Sequence, residues 1–393
     1  MKGMPQTIGF ALLLAVLAAL LPSRLAAQDY SRQPTQEYIA YIGTYTNQTS
    51  KGIYAYRFNP AQGEATPIGL VAEEASPAFL AVHPNQNFLY AVSEVGEYEG
   101  QPSGAIAAYS IDRASGALKL LNKAASRGRG PAHLAVDQTG KAVVVANYGG
   151  GSTTVLPILP DGSLGEATGF VQHSGSSVNP QRQKEPHAHA AVISPDNRFV
   201  MVPDLGTDQV FIYRLDPEKG SIVSNDPAFA KVAPGGGPRH FAFHPDAKFA
   251  YVNNELTSTV TAFAYDAQRG ALTELQTIST LPEGYTGNNS TAEIAVHGSG
   301  NFLYVSNRGH DSLALFSIDP AKGTLTAQGH FPTLGQVPRN FAIDPTGRNI
   351  LAANQNSNSI VLFRVNQKTG ELNATGRELS VNRAVCVVFV AAQ

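Results

Sequence analysis

Apolar residues along this chain come in short alternating runs, and nearly every run is closed by a turn rich in Gly, Pro, Asn or Asp. Two runs, Phe241 to Phe243 and Phe249 to Asn253, flank "HPDAK", whose proline presets φ and whose aspartate bonds its own backbone. The pattern predicts an antiparallel strand pair with the turn at one end and Arg239 and Glu255 at the other. The same frame recurs at intervals of roughly 45 to 57 residues, with turns "HPNQN" at His83, "DQTGK" at Asp137, "SPDNR" at Ser194, "HGSGN" at His297 and "DPTGR" at Asp344. Each turn follows a small-apolar strand such as "FLAV" or "HFAF" and precedes a second such as "FLYAVS" or "FAYVNN". A third alternating run, such as "QVFIYRLD" or "TVTAFAYD", leads into a glycine hairpin ("PEKGSI", "AQRGAL", "PAKGTL") and a short fourth strand.

Four antiparallel strands per unit make a propeller blade. Six units are complete. The chain opens with "YIAYIGTYT" and "GIYAYRFN", second and third strands lacking a first, and closes with "NRAVCVVFVA", a first strand lacking a second. Pairing the two ends removes the exposed sheet edges, so the expected fold is all-β: a seven-bladed β-propeller closed by the C-terminal strand on the N-terminal blade.

Length alone, at 393 residues, would suggest two domains, but the repeats account for it. The N-terminus changes the picture: Lys2, an apolar run from Ile8 to Leu21 and then "PSRLAAQD" follow the plan of a secretory signal peptide, giving a leader at 1–27 and a propeller at 28–393. The run is shorter than the roughly 20 residues a membrane span needs, so no membrane attachment is expected after cleavage. Export predicts a periplasmic or extracellular protein. Its single cysteine, Cys386, rules out an intramolecular disulfide and reads as a buried small hydrophobe. A net charge of −2 gives no global attraction to nucleic acid, so any anion site must be local.

In a propeller the ends of the inner strand pair line one mouth of the central channel. Counting six residues before each turn proline and ten after it gives two positions per blade that share this space. The first reads Ala78, Ala132, His189, Arg239, Ala292 and Arg339, with Arg383 assigned on the closing strand; the second reads Glu94, Tyr148, Leu205, Glu255, Arg308 and Gln355. His133, His240 and Glu293 are one step away. Several arginines against few acids would hold an anion, and guanidinium suits carboxylate or phosphate. His189 and Glu255 are the candidates for proton transfer. The opposing interpretation is a structural plug of paired Arg and Glu.

"GPRHFAFHPDAKFAYVNNEL", "HAAVISPDNRFVMVPDLGTDQVFIYRLD", "YVSNRGHDSLALFSID" and "VPRNFAIDPTGRNILAANQNSNSIVLFRV" resemble the lactonase family that contains the seven-bladed bacterial 6-phosphogluconolactonases and the fungal 3-carboxymuconate lactonising enzymes. The resemblance implies a small-molecule lactone substrate, no cofactor or obligatory metal, and a site at the channel mouth whose catalytic groups fall on His189, Arg239, Glu255 and Arg308. Arg339, Glu94, His133, His240, Glu293, Gln355 and Arg383 would then contact substrate. An export signal sets this chain apart from a cytoplasmic 6-phosphogluconolactone hydrolase and favours sugar lactones made outside the cytoplasm. Two alternatives stand beside lactone hydrolysis: cycloisomerisation of a muconate-type dicarboxylate, and a noncatalytic binding propeller.

Two other motifs invite chemistry. His187 and His189 form an H-x-H, but arginines in the same ring would repel a metal cation. "NYGGGST", Asn147 to Thr153, lacks the following helix that a phosphate loop requires and reads as a tight strand connection.

Overall fold

Each of the six turns joins two antiparallel strands in the computed structural model, which describes residue 3 and residues 36–46 and 49–393. The expected leader, apart from Gly3, lies outside the described residues. Among the described residues all regular elements are strands, grouped into seven four-stranded antiparallel sheets. Blades 1 to 6 span 80–125, 131–172, 192–231, 238–279, 290–332 and 338–380. Blade 7 combines 38–73 with the closing strand Ala384–Ala391.

Ring closure follows the expected pairing, with Tyr38 opposite Ala391 and Ile42 opposite Val387. Apolar residues on both faces of the inner strands fill the spaces between blades. Tyr41, Ile53, Leu80, Ala91 and Cys386 pack together where blade 7 meets blade 1. The hairpin glycines Gly116, Gly220, Gly270, Gly323 and Gly370 all adopt φ between +58° and +81°, the left-handed conformation that the tight connection demands.

Adjacent blades are also stapled through polar contacts that the repeat reproduces. A tyrosine on the second strand reaches across to a hairpin carbonyl of the next blade: Tyr41 to Gly116 (3.1 Å), Tyr90 to Gly162 (3.0 Å), Tyr251 to Gly323 (3.0 Å) and Tyr304 to Gly370 (2.6 Å). A turn histidine makes a like contact at the same end of the strand pair, with Nε2 of His83, His244 and His297 within 2.8 to 3.0 Å of the carbonyls of Gly140, Gly300 and Gly347. These contacts explain why "HP" and "HG" recur in the turns.

One irregularity positions the site. The inner strands of blades 2, 4, 5, 6 and 7 each carry an extra residue relative to their partner strand, a β-bulge just before the strand enters the channel. In blade 4, Pro238 pairs with Asn254 and Phe241 with Val252, so Arg239 and His240 together face one partner residue. A bulge bends the strand and re-aims a side chain. The residue turned toward the axis is the first position of the frame: Ala132, Arg239, Ala292 and Arg339. On the closing strand the register shift falls between the Gly43–Cys386 and Thr44–Ala384 pairs, which puts Val385 at the equivalent place. Arg383, assigned there by spacing, lies two residues earlier in a left-handed conformation with φ +55°.

The tyrosine staples predict a measurable cost. Tyr251→Phe leaves the buried Gly323 carbonyl without its donor, and should lower unfolding stability by about 1 to 2 kcal/mol without altering the native circular dichroism. An unchanged denaturation midpoint would show that the staple is incidental.

Candidate active site

Glu255 follows the second strand of blade 4, Phe249–Asn254, and its backbone N–H donates to the carbonyl of Gly237 at 2.7 Å, which holds the carboxylate at the mouth beside the bulge. Three guanidinium groups converge on it. Nη2 of Arg308 lies 2.9 Å from Oε2, Nη2 of Arg182 lies 2.9 Å from Oε1, and Nε of Arg239 lies 3.1 Å from Oε2. The Arg239 contact is an ion pair whose N–H points off the line to the oxygen, since Nε makes no hydrogen bond among the described residues. Burial alone would raise the Glu255 carboxyl, but Arg308, Arg239 and Arg182 outweigh it and hold its pKa at about 2.

Arg239 is 2% exposed and donates from Nη1 to the carbonyl of Ala292. Burial and the neighbouring Arg308 and Arg339 press its pKa down to about 9, which leaves it charged at neutral pH. Arg308 donates from the same Nη2 to the carbonyl of Thr291 at 2.7 Å. Arg339 sits over the ring of Tyr45 at 5.2 Å, and the Tyr45 hydroxyl donates to Oε2 of Glu94 at 2.8 Å. Burial raises the Glu94 pKa despite the opposing pull of Arg339 and the Tyr45 bond.

Three imidazoles pack behind the arginines. His189 and His240 have ring centroids 5.2 Å apart, and His240 and His133 5.3 Å apart. All three are buried and held well below the ordinary histidine pKa: burial is the main cause, with Arg239 and Arg339 adding to it for His189 and His240, and the neighbouring His240 for His133. They are therefore neutral at pH 7. The His133 ring stacks on Phe79 at 3.9 Å and its Nδ1 accepts from the Ala191 N–H at 3.3 Å. His240 meets Glu293 Oε1 through Nδ1 at 3.0 Å, and Asn340 donates to the other oxygen of Glu293 at 2.5 Å. Nδ1 of His189 and Nε2 of His240 are buried without a hydrogen-bond partner among the described residues. Facing the Glu293 carboxylate, His240 Nδ1 is the donor, which leaves Nε2 of that ring as the acceptor.

His189, Arg239, Glu255 and Arg308 thus meet in one cluster, joined by Arg339, Glu94, His133, His240 and Glu293. Gln355 and Arg383 do not join it. Both side chains turn to Asn356, Gln355 through Nε2 at 3.4 Å and Arg383 through Nη1 at 3.1 Å. Two members escaped the sequence reading. Tyr45 follows the strand Tyr38–Thr44 as Glu255 follows Asn254, so it is the second-position residue of blade 7 and a strand alignment of "YIGTYT" would have found it. Arg182 comes from the irregular segment between blades 2 and 3, for which the repeat offers no frame.

The channel is nearly filled within the cluster itself, where Arg239, His240 and Glu293 also face the remaining space. Tyr45, Ala78, Glu94, Ala132, Arg339 and Val385 are among the residues enclosing about 10 Å³ of space for water centres, room for about one water molecule. A larger groove of about 460 Å³, lined by Tyr98, Lys123, Arg127 and Glu166, lies between the outer strands of blades 1 and 2 and shares no residue with the cluster. At the mouth the cluster reaches solvent through Arg182, which retains 41% side-chain exposure.

Residues 39–389 match the family described as "Lactonase, 7-bladed beta-propeller". The 6-phosphogluconolactonase of Bacillus subtilis is 37% identical over 310 residues, 79% of this chain and 86% of the relative. That of Formosa agariphila is 37% identical over 316 residues, 79% and 88% of the two chains. Among solved structures, the periplasmic gluconolactonase of Pseudomonas aeruginosa superposes with a TM-score of 0.86 at 36% identity, covering 91% of this chain and 100% of that one.

The Glu255 cluster makes a pH prediction. A carboxylate whose folded pKa is about 2, against an ordinary 4.5, adds stability that is complete above pH 4.5 and is lost as pH falls toward 2. Glu94 and Glu293 are shifted the other way, so the wild-type curve is a sum. Glu255→Gln isolates the effect. It should cost about 3 to 5 kcal/mol at pH 7, by stranding buried guanidinium charge, and the difference from wild type should shrink between pH 4.5 and 2. A difference that stays constant across that window would mean that the carboxylate charge is not what stabilises the cluster.

Proposed function

Because the chain belongs to the seven-bladed β-propeller lactonase family, we propose that it is a lactone hydrolase, opening a sugar or other hydroxy-acid lactone at the channel mouth. The observation that carries the proposal is the division of labour between His189 and Glu255. Glu255 is saturated by three arginines and is too weak a base to take a proton from water. His189 is neutral at pH 7, lies in the field of Arg239 and Arg339, and has an Nδ1 that makes no hydrogen bond among the described residues, so it serves as an acceptor in the tautomer that carries the proton on Nε2.

In the proposed reaction His189 accepts a proton from water as the water oxygen attacks the lactone carbonyl. The carbonyl oxygen becomes the oxyanion of a tetrahedral intermediate. Arg239 and Arg308 stabilise that charge, and Glu255 holds both guanidiniums in place before the charge develops. Collapse breaks the bond between carbonyl carbon and ring oxygen, and the proton held by His189 passes to the departing oxygen, giving the open hydroxy acid. Arg339, Glu94 and Tyr45 are placed to orient hydroxyls. No step calls for a cofactor. The apolar leader at 1–27 and the likeness to a periplasmic gluconolactonase support action outside the cytoplasm.

Initial rates on a panel of aldonolactones, measured against the spontaneous background, test this. His189→Ala should lower kcat by roughly a hundredfold or more, and Arg239→Ala by about a hundredfold, with melting temperature used to confirm the fold. Because His189 is held well below pH 6.5, kcat/KM in the wild type should stay level from pH 8 to below 6.5. Full turnover in a folded His189→Ala variant would falsify the assignment of the base.

A further inference from the structure

Arg182 stands outside the repeat, and the way it is built suggests what it does. The segment 174–187 links the last strand of blade 2, Gly169–Gln172, to the inner strand region of blade 3. A tight turn within it is organised by Asn179, whose Oδ1 accepts from the N–H groups of Gln181 and Arg182 at 3.0 and 3.1 Å, while its carbonyl accepts from the N–H of Gln183 at 2.9 Å. Gln183 is fully buried and donates from Nε2 to the Leu205 carbonyl (2.9 Å) and to Asp208 Oδ1 (2.7 Å). The Ser177 hydroxyl donates to the other oxygen of Asp208. That carboxylate also accepts from the N–H groups of Gly235 (2.6 Å) and Gly237 (2.7 Å), which lead directly into the Arg239 strand. One buried carboxylate therefore fixes the base of Arg182 and the strand of Arg239 in a common frame.

The tip of Arg182 is held far more loosely than its base. Its side chain is 41% exposed, against 2% for Arg239 and 13% for Arg308. Nη2 divides itself between the Tyr148 hydroxyl and Glu255 Oε1, both at 2.9 Å. A solvent-reached ion pair contributes little, and Glu255 keeps Arg239 and Arg308 if Arg182 leaves. Cations outnumber carboxylates at the mouth: Arg182, Arg239, Arg308 and Arg339 face Glu255, Glu94 and Glu293. An incoming phosphate or carboxylate offers a guanidinium a bidentate partner that a single carboxylate oxygen shared with a phenol does not.

We propose that Arg182 is a specificity-determining residue that exchanges its contact with Glu255 and Tyr148 for the anionic substituent of a lactone, so that the site prefers phosphorylated or carboxylated lactones to neutral ones. This rests on the lactonase reading of the same site. The anchored turn presents the arginine, the exposed tip is free to swing, and the two buried arginines stay with the reacting carbonyl.

The test compares glucono-δ-lactone with 6-phosphoglucono-δ-lactone, the latter generated in the assay, in wild type and in Arg182→Gln. In wild type kcat/KM should favour the phosphorylated lactone, and in Arg182→Gln the ratio of the two values should fall about tenfold or more, mainly through KM. Arg182→Lys should recover part of the preference. No preference in wild type, or a ratio that Arg182→Gln leaves unchanged, overturns the proposal. If wild type opens neither lactone, the catalytic reading fails by itself. The selectivity claim is then decided by calorimetric binding of 6-phosphogluconate against gluconate, where a preference lost in Arg182→Gln supports it and equal binding in wild type and variant sinks it.

Discussion

Guanidinium groups gathered around one axis repel one another, and the mouth of this propeller exists only because Glu255 offsets that repulsion. Arg239 is 2% exposed, and an uncompensated charge at that depth costs several kcal/mol. Glu255 meets it from the same blade, meets Arg308 from blade 5, and meets Arg182 from the segment that precedes blade 3. The cluster therefore ties three parts of the ring together at the place where the inner strands end. Neutral histidines fill the space beside it without adding charge. Their depressed pKa values come first from burial, and the same cationic field adds to it, since both disfavour an imidazolium.

That field also sorts the two candidates for proton transfer. A carboxylate with a pKa of about 2 is an anchor for cations, whereas a neutral imidazole with a vacant nitrogen is an acceptor. Spacing in the sequence placed both residues at the mouth, His189 at the first position of the frame and Glu255 at the second, and could not separate their roles, because position alone does not fix which charges surround each. The separation comes chiefly from Arg308 and Arg239, which hold the Glu255 carboxyl down against burial, with Arg182, absent from the frame, adding to them.

How much the sequence disclosed follows from where the repeat is regular. The turn motifs mark the end of the first strand and the start of the second, so counting from them recovers the blade number, the closure and six of the seven clustered residues at the two frame positions, with His133, His240 and Glu293 one step away. Counting fails on the closing strand. It has no turn after it, because its partner Tyr38–Thr44 lies at the other end of the chain, and the bulge adds a residue that spacing does not reveal. Arg383 was assigned where Val385 stands, and Tyr45 was passed over for the same reason. Arg182 was illegible on different grounds: its place depends on Asn179, Gln183 and Asp208, three polar residues whose hydrogen bonds close a turn found in no other blade.

The seven first positions of the frame cannot all carry large side chains, because they share one axis. The chain places His189, Arg239 and Arg339 in blades 3, 4 and 6, and Ala78, Ala132, Ala292 and Val385 in blades 1, 2, 5 and 7. The small residues of blades 7, 1 and 2 adjoin one another and line the residual cavity with Tyr45 and Glu94, while the imidazole and the buried guanidiniums stand across from them. A propeller of identical blades would present the same group seven times, and their like charges or equal bulk would close the channel. Breaking the repeat at the bulge gives one side on which a neutral ring can rest and one side on which charge can develop. The asymmetry a lactonase needs is thus built from single substitutions at one repeated position, on a scaffold whose strands, turns and staples stay nearly uniform around the ring.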